Sequence, residues 1–361
     1  MNAVQIDVQT TSRTYQVHVG EGITADLNQM LDNAGATERR FLVSSPSVWK
    51  AHGATIEQAV RNDGTILVPD GERSKTMQTV SRVYEALFQA SADRATTIVA
   101  VGGGVIGDVV GFAAATFLRG VQLAHLPTTL LAQVDSAIGG KVGVNHPLGK
   151  NLIGTFHQPI VVVTDPLLLA TLPQREFRAG LYEVVKYGVI ANRDLFNRIG
   201  RDLTAIFSRE PGTLMPIIAE SCRIKAAIVS QDERENGLRR ILNFGHTAGH
   251  AIEAVTRYRR FRHGEAIAYG MLTVADIAVC RGTFSEADRS ALAKLIDQLG
   301  PLPSVSDLSA KQVIESIRRD KKVLEGRLHV VLPTGIGSTE IVGNLTEQEI
   351  QRSLRAIGLR T

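Results

Sequence analysis

Residues 1–172 read as a Rossmann-like α/β domain with a mainly parallel sheet, and residues 173–361 as a mainly α-helical domain. Length, strand spacing and a change of texture point that way. A chain of 361 residues is long for one hydrophobic core. Short apolar segments alternate with amphipathic helical ones in the first half, the pattern of βαβ units. From about Pro173 onward, long helical patterns follow one another with little strand signal.

Segments 4–8 and 15–19 alternate apolar with polar residues around a Thr-Thr-Ser-Arg turn, which predicts an opening hairpin. Segments 41–43, 65–68, 97–101, 122–126 and 160–164 are short and apolar, and each predicts a strand. The stretch from Pro166 to Pro173 reads as the junction between domains. Helical periodicity then marks 176–190, 214–230, 243–255, 265–280 and 285–299, and a strand signal returns at 329–332. Internal repeats and low-complexity tracts do not stand out.

The hydrophobic fraction of 44% and charged fraction of 21% are ordinary for a soluble enzyme. Forty Lys and Arg against thirty-six Asp and Glu leave a net charge of only +4. A nucleic-acid binder concentrates its excess on one face. The one dense basic run here, RYRRFR at 257–262, reads as a solvated loop leading to His263. Cys222 and Cys280 are far apart and form neither a CxxC motif nor a disulfide framework, so a reducing compartment is expected. The most apolar run, near 98–117, is broken by glycines and Asp108, and the N-terminus shows no signal-peptide pattern. A cytoplasmic protein without membrane or nucleic-acid partners is expected.

In LNFGHTAGHAIE, residues 242–253, Asn243, His246 and His250 stand at i, i+3 and i+7 and share one helical face. Two imidazoles at i and i+4 can bind one metal, or can simply be solvated or hydrogen-bonded. Thr247 fills the place where an HExxH zinc protease needs its Glu, so this is not a metalloprotease signature. Segment 97–101 runs into Gly102, Gly103, Gly104, Val105, Ile106, Gly107 and Asp108, then a helical pattern. Glycines there let backbone N–H groups approach a pyrophosphate at a helix N-terminus, although packing alone can also require them. The turn bearing Asp70, Gly71, Glu72 and Lys75 could offer carboxylates to ribose hydroxyls, or be only a turn. Thr128, Thr129, Asp135, Lys141, Lys150 and Asn151 surround a glycine-rich run at 139–145, and together they predict an anion site.

These blocks resemble the 3-dehydroquinate synthase family. The resemblance is carried by GGGVIGDVVGFAAATFLRG from Gly102, LPTTLLAQVDSAIGGKVGVN from Leu126, Lys150 with Asn151, EVVKYG from Glu183, LNFGHTAGHAIE, and HGEA from His263. They run in the family's order from DGE at Asp70 to DKK at Asp320. The resemblance implies a divalent metal, Zn2+ or Co2+, held by Glu183, His246 and His263. It implies NAD at Asp70, Gly71, Glu72, Arg73, Ser74, Lys75, Gly104, Val105, Ile106, Gly107, Asp108, Thr128, Thr129, Lys141, Lys150, Leu168, Leu169, Ala170 and Thr171. It implies a substrate pocket of Arg119, Asp135, Lys141, Asn151, Lys186, Lys225, Arg239, Asn243, His250 and either Lys321 or Lys322. The implied substrate is a phosphorylated sugar acid, 3-deoxy-D-arabino-heptulosonate 7-phosphate. It becomes 3-dehydroquinate and phosphate through transient oxidation by NAD, β-elimination, re-reduction and intramolecular aldol closure, a step of the shikimate pathway. A homodimer in which Arg119 reaches the neighbouring site is also implied.

Three features depart from the family's pattern. Ser44, Ser45, Pro46 and Ser47 stand where members often carry Asp or Asn near the adenosine ribose, which leaves the preference for NAD over NADP open. Tyr182 precedes Glu183 where Ala is usual, and RYRRFR is unusually basic. Glu253 reads as structural. The competing readings are another sugar-phosphate cyclase, a metal-dependent polyol dehydrogenase, and a nucleic-acid binder resting on the basic run. Lys225 and Arg239, suited to a carboxylate, favour the quinate reading over the other cyclases.

Overall fold

The computed structural model of the chain describes residues 3–323 and 328–361, with the side chains of 320–323 outside the description. Two compact units form, one of Met1–Pro173 with Arg209–Arg234 and one of Gln174–Ser208 with Glu235–Thr361.

The first unit holds β1 Val4–Gln9, β2 Thr14–Val19, β3 Arg39–Ser44, β4 Gly64–Leu67, β5 Thr96–Gly102, β6 Gln122–Pro127, β7 Lys141–His146, β8 Gly149–Phe156 and β9 Val161–Thr164. Seven of these make one sheet in the order β1-β2-β9-β6-β5-β3-β4. Only β1 and β2 pair antiparallel; every other neighbouring pair is parallel. This is the expected Rossmann-like arrangement. Helices α1 Leu27–Asn33, α2 Pro46–Ala59, α3 Met77–Gln89 and α4 Gly104–Thr116 cover the sheet.

Because side chains alternate along a strand, β5 feeds two cores. Ile98 and Ala100 join Val80, Val83 and Leu87 of α3 and Val109, Val110 and Ala113 of α4. Val99 and Val101 join Leu27 and Leu31 of α1 and Ile56 of α2. Each fully buried Val, Leu or Ile contributes roughly 1.5–3 kcal/mol relative to exposure, so both faces hold β5 in place. Its C-terminal end, where Gly102 leads into α4, is thereby fixed.

The glycine-rich run at 139–145, for which the sequence carries no strand expectation, enters an antiparallel hairpin of β7 with β8 from Lys141 onward. The strand signal there is masked by glycine and lysine, and β8 buries no residue fully, so it lacks an apolar stripe.

In the second unit lie α5 Gln174–Ala191, α6 Arg193–Arg201 and α7 Leu203–Phe207. Helix α8, Pro211–Gln231, was expected with them but counts with the first unit, packed on β1 and β2. Its buried Leu214, Ile217, Ile218, Cys222 and Val229 give an apolar face, and periodicity alone does not say which surface covers that face. The second unit continues with α9 His246–Val255, α10 His263–Cys280, α11 Glu286–Gln298, α12 Ala310–Val323, the hairpin of β10 Val330–Gly335 with β11 Ser338–Val342, and α13 Glu347–Ala356. Helices α5, α9 and α10 approach closely through two glycines. A Cβ at Gly264 would lie 1.9 Å from the Ala179 carbonyl oxygen, and one at Gly270 1.8 Å from that of Gly245. No helix among the described residues is long and apolar enough to cross a membrane.

Candidate functional site

Those close helix contacts set the geometry of the second unit's site. Glu183 and Lys186 sit one turn apart on α5, both buried. His246 is the first residue of α9, entered through Gly245 at φ 77°, a left-handed turn that glycine adopts without strain. His250 follows one turn later, and His263 opens α10. Glu183 Oε1 lies 3.5 Å from His263 Nε2 and 3.9 Å from His246 Nε2. The ligand atoms of His246, His250 and His263 all fall within 4.8 Å of one another.

The charges suit a cation. Both carboxylate oxygens of Glu183 are buried and accept no hydrogen bond among the described residues, and Oε2 is 2.6 Å from the Lys186 ammonium. A buried carboxylate oxygen left so costs several kcal/mol unless something positive meets it. Burial first, then the charge on Lys186 and the neighbouring imidazoles, holds His246 well below the usual histidine range. It is therefore a neutral ring with a lone pair to give. The Nδ1 atoms are engaged elsewhere, that of His246 with the Phe244 carbonyl at 3.1 Å and that of His263 with Glu253 Oε2 at 3.2 Å. A tetrahedral ion with bonds of about 2.0–2.2 Å spaces neighbouring ligand atoms roughly 3.4 Å apart, close to what Glu183 and the two rings present. One carboxylate and two imidazoles suit Zn2+ or Co2+ with positions left open for substrate, so these residues fit the implied metal.

His250, expected on the substrate side, is exposed and stands within the same histidine cluster. Asn243 donates to Glu235 Oε1 at 2.6 Å, and Arg239 is buried in the same short turn, Leu238–Asn243. The side chains of Lys321 and Lys322 lie outside the described residues.

In the first unit, the ends of β4, β5 and β6 carry expected nucleotide residues, as ligand sites at the carboxyl ends of parallel strands do. Gly104, Val105, Ile106, Gly107 and Asp108 form the first turns of α4. Thr128 and Thr129 follow β6, and the Thr128 N–H donates to the Gly102 carbonyl at 3.0 Å. Lys75, buried, donates to both Asp108 and Asn151. Burial pushes the Asp108 carboxyl up, against the pull of that ammonium. Glu72 accepts from Asn145 Nδ2 at 2.8 Å and has Lys150 Nζ 3.9 Å away.

Asp70 meets the serines of the departing stretch: Ser47 donates to it through both its hydroxyl and its N–H. Against the effect of burial, hydrogen bonds from Ser45 and Ser47 hold the Asp70 carboxyl below the usual carboxylate range. Its neighbours Gly71, Arg73 and Ser74 complete the turn, the Ser74 N–H donating to the Gly71 carbonyl at 3.0 Å. Leu168, Leu169, Ala170 and Thr171 lie in the short turn Pro166–Thr171, capped by Asp165.

Lys225 of α8 donates to the Asp135 carbonyl at 2.7 Å and to its carboxylate. Lys141 is exposed at the start of β7. Arg119 follows α4 just past the end opposite Gly104, in a left-handed pair with Leu118 at φ 73° and 48°.

Two residues escaped the sequence reading. Asn145 joins the 70–75 turn to the hairpin: its N–H donates to the Lys75 carbonyl at 2.9 Å and its Oδ1 accepts from the Asn151 N–H at 2.9 Å. Arg209 donates to the carbonyls of Leu169 at 2.8 Å, Ala170 at 2.6 Å and Leu172. Asn145 closes the glycine-rich run at 139–145; Arg209 had no local signal at all. The basic run is engaged internally: Arg260 forms a bidentate pair with Asp307, and Arg262 lies 2.7 Å from Glu176.

Comparison with known proteins places these observations. A family model described as 3-dehydroquinate synthase N-terminal matches residues 65–179, and one described as 3-dehydroquinate synthase C-terminal matches 180–323. A 3-dehydroquinate synthase of Pelotomaculum thermopropionicum is 43% identical over 97% of this chain and 96% of its own length. One of Synechococcus sp. strain CC9605 is 44% identical over 98% and 97%. Among solved structures, 2-epi-5-epi-valiolone synthase from Streptomyces hygroscopicus subsp. jinggangensis 5008, with NAD+ and Zn2+ bound, aligns with a TM-score of 0.87 at 27% identity over 95% of this chain and 96% of that one. A 2-deoxy-scyllo-inosose synthase complexed with carbaglucose-6-phosphate, NAD+ and Co2+ aligns at 0.85 and 28% over 98% and 99%. A probable glycerol dehydrogenase from Sinorhizobium meliloti 1021, at 17% identity and 0.64, shares the fold alone.

Proposed function

This chain belongs to the 3-dehydroquinate synthase family, and we propose that it converts 3-deoxy-D-arabino-heptulosonate 7-phosphate to 3-dehydroquinate and inorganic phosphate. The observation that carries the residue assignment is the meeting of Glu183 Oε1 with the Nε2 atoms of His246 and His263. When bound, the metal supplies Lewis acidity and NAD a reversible acceptor of hydride.

Glu183, His246 and His263 hold the metal, Zn2+ or Co2+. The Lys186 ammonium, 2.6 Å from Oε2, balances the charge of Glu183. His250, exposed beside them, and Asn243 serve hydroxyl or proton-handling positions. Lys225 and Arg239 take the substrate carboxylate, and Asp135 orients the Lys225 ammonium. Lys141, Asn151, Arg119 and Lys321 bind phosphate and carboxylate oxygens. NAD lies along the turn 70–75, the N-terminus of α4, Thr128, Thr129, Lys150 and residues 168–171, where α4 presents its amide N–H groups to the pyrophosphate. Asp70, kept ionised by Ser45 and Ser47, repels a 2′-phosphate and so favours NAD over NADP.

The protein works in the cytoplasm as a homodimer. Its two free cysteines suit a reducing compartment, and the resemblance gives Arg119 its role in a neighbouring subunit. Release of phosphate from the heptulosonate phosphate, abolished by a chelator and restored by Zn2+ or Co2+, is the expected result. Phosphate release that persists in chelator would overturn the metal assignment.

A further inference from the structure

Glu253 is a carboxylate to which the reaction above gives no task, buried to 2% exposure on α9. It stands seven residues after His246 and three after His250, so all three share one face of the helix. Its Oε2 lies 3.2 Å from His263 Nδ1, and the other nitrogen of that ring, Nε2, lies 3.5 Å from Glu183 Oε1. The two nitrogens therefore have opposite tasks. With the proton on Nδ1, donated to Glu253, Nε2 carries the lone pair that faces Glu183. His246 is held in the same sense by a neutral acceptor, the Phe244 carbonyl at 3.1 Å. Packing constrains the two rings unequally: the His246 side chain is 14% exposed and that of His263 30%. The ring less constrained by its surroundings has the charged holder.

We propose that Glu253 is a positioning residue of the metal site, fixing His263 in the tautomer and orientation that point Nε2 at the ion and strengthening that nitrogen as a donor. The inference rests on the reading of Glu183, His246 and His263 as ligands. Its test is Zn2+ affinity, measured on the metal-stripped full chain by competition with a chromophoric chelator, for wild type, Glu253→Ala, Glu253→Gln and His246→Ala. Unfolding curves of the metal-free proteins report on folding. Glu253→Ala binds Zn2+ about 10–100-fold more weakly than wild type. Glu253→Gln falls between the two, because its carbonyl oxygen still accepts from Nδ1–H without the charge. His246→Ala loses the site. Glu253→Ala within twofold of wild type, with His246→Ala lost, overturns the inference and leaves the ligand set standing. Glu253→Gln no better than Glu253→Ala also overturns it, since the ring would then be answering to charge alone. If His246→Ala binds like wild type, the ligand set itself fails. Should Glu253→Ala not fold, the isosteric Gln variant decides: weakened binding supports the inference and unchanged binding overturns it.

Discussion

Glu183 stands on a different helix from the two histidines it faces, and what joins them is a buried carboxylate oxygen, Oε1, turned toward both rings. Replacing Glu183 by Gln removes that charge but keeps the shape, so metal content falls with little change in fold. Metal analysis of the purified variant checks this, and a full complement of metal would refute the assignment. Lys75 makes a second charge-dependent node. Lys75→Met leaves Asp108 and Asn151 without their shared donor, and a carboxyl already pushed up by burial loses its compensating cation. Stability to urea drops by about 2 kcal/mol and NAD binding weakens roughly tenfold; unchanged NAD affinity would separate the pair from the cofactor site. At this level the sequence was legible where spacing is local. His246 and His250 on one face follow from helical period, whereas Glu183 joined them through resemblance only. Asn145 and Arg209 were illegible because their partners are far along the chain, and hydrogen bonds to Glu72 or to the Leu169 carbonyl leave no periodic trace.

Helices α5, α9 and α10 fix the cluster because Gly264 and Gly270 let backbones meet where any side chain would intrude. Gly270→Ala drives a Cβ into the Gly245 carbonyl, the residue just before His246. It therefore destabilises by about 1–3 kcal/mol and weakens metal binding together, readable by thermal unfolding with and without Zn2+. A fully stable Gly270→Ala variant would show that α9 and α10 do not depend on this contact. Helix α13 offers a pH test away from the site. Glu349 is pushed down to about 2 by the Arg281 guanidinium, with burial opposing and Thr346 adding hydrogen bonds. Its folded value lies below the ordinary glutamate value, so its contribution is present above about pH 4.5 and is lost as pH falls toward about 2. Glu349→Gln flattens the acid side of the stability profile across that window; an unaltered profile would contradict it. Strands β3, β5, β6 and β9 were legible because burial on both faces makes them apolar runs. The β7–β8 hairpin was not, since half-exposed strands rich in glycine and lysine resemble a loop.

The division of the molecule was legible as a change of texture near Pro173, but the place of α8 was not. A helix advertises its apolar face and not the surface that covers it, and α8 crosses to the sheet-bearing unit with Lys225. The +4 surplus includes a basic run whose Arg260 and Arg262 meet Asp307 and Glu176, so no open cationic stripe is built from them. The shared fold with polyol dehydrogenases leaves one distinction that only chemistry draws, whether NAD is consumed or returned. The decisive measurement is phosphate released from 3-deoxy-D-arabino-heptulosonate 7-phosphate by metal-loaded protein supplied with a trace of NAD. Many phosphates per NAD, with no lasting NADH absorbance, is the expected outcome. NADH accumulating in step with substrate consumed, and stopping when the NAD is gone, would contradict a cyclase that borrows a hydride and gives it back.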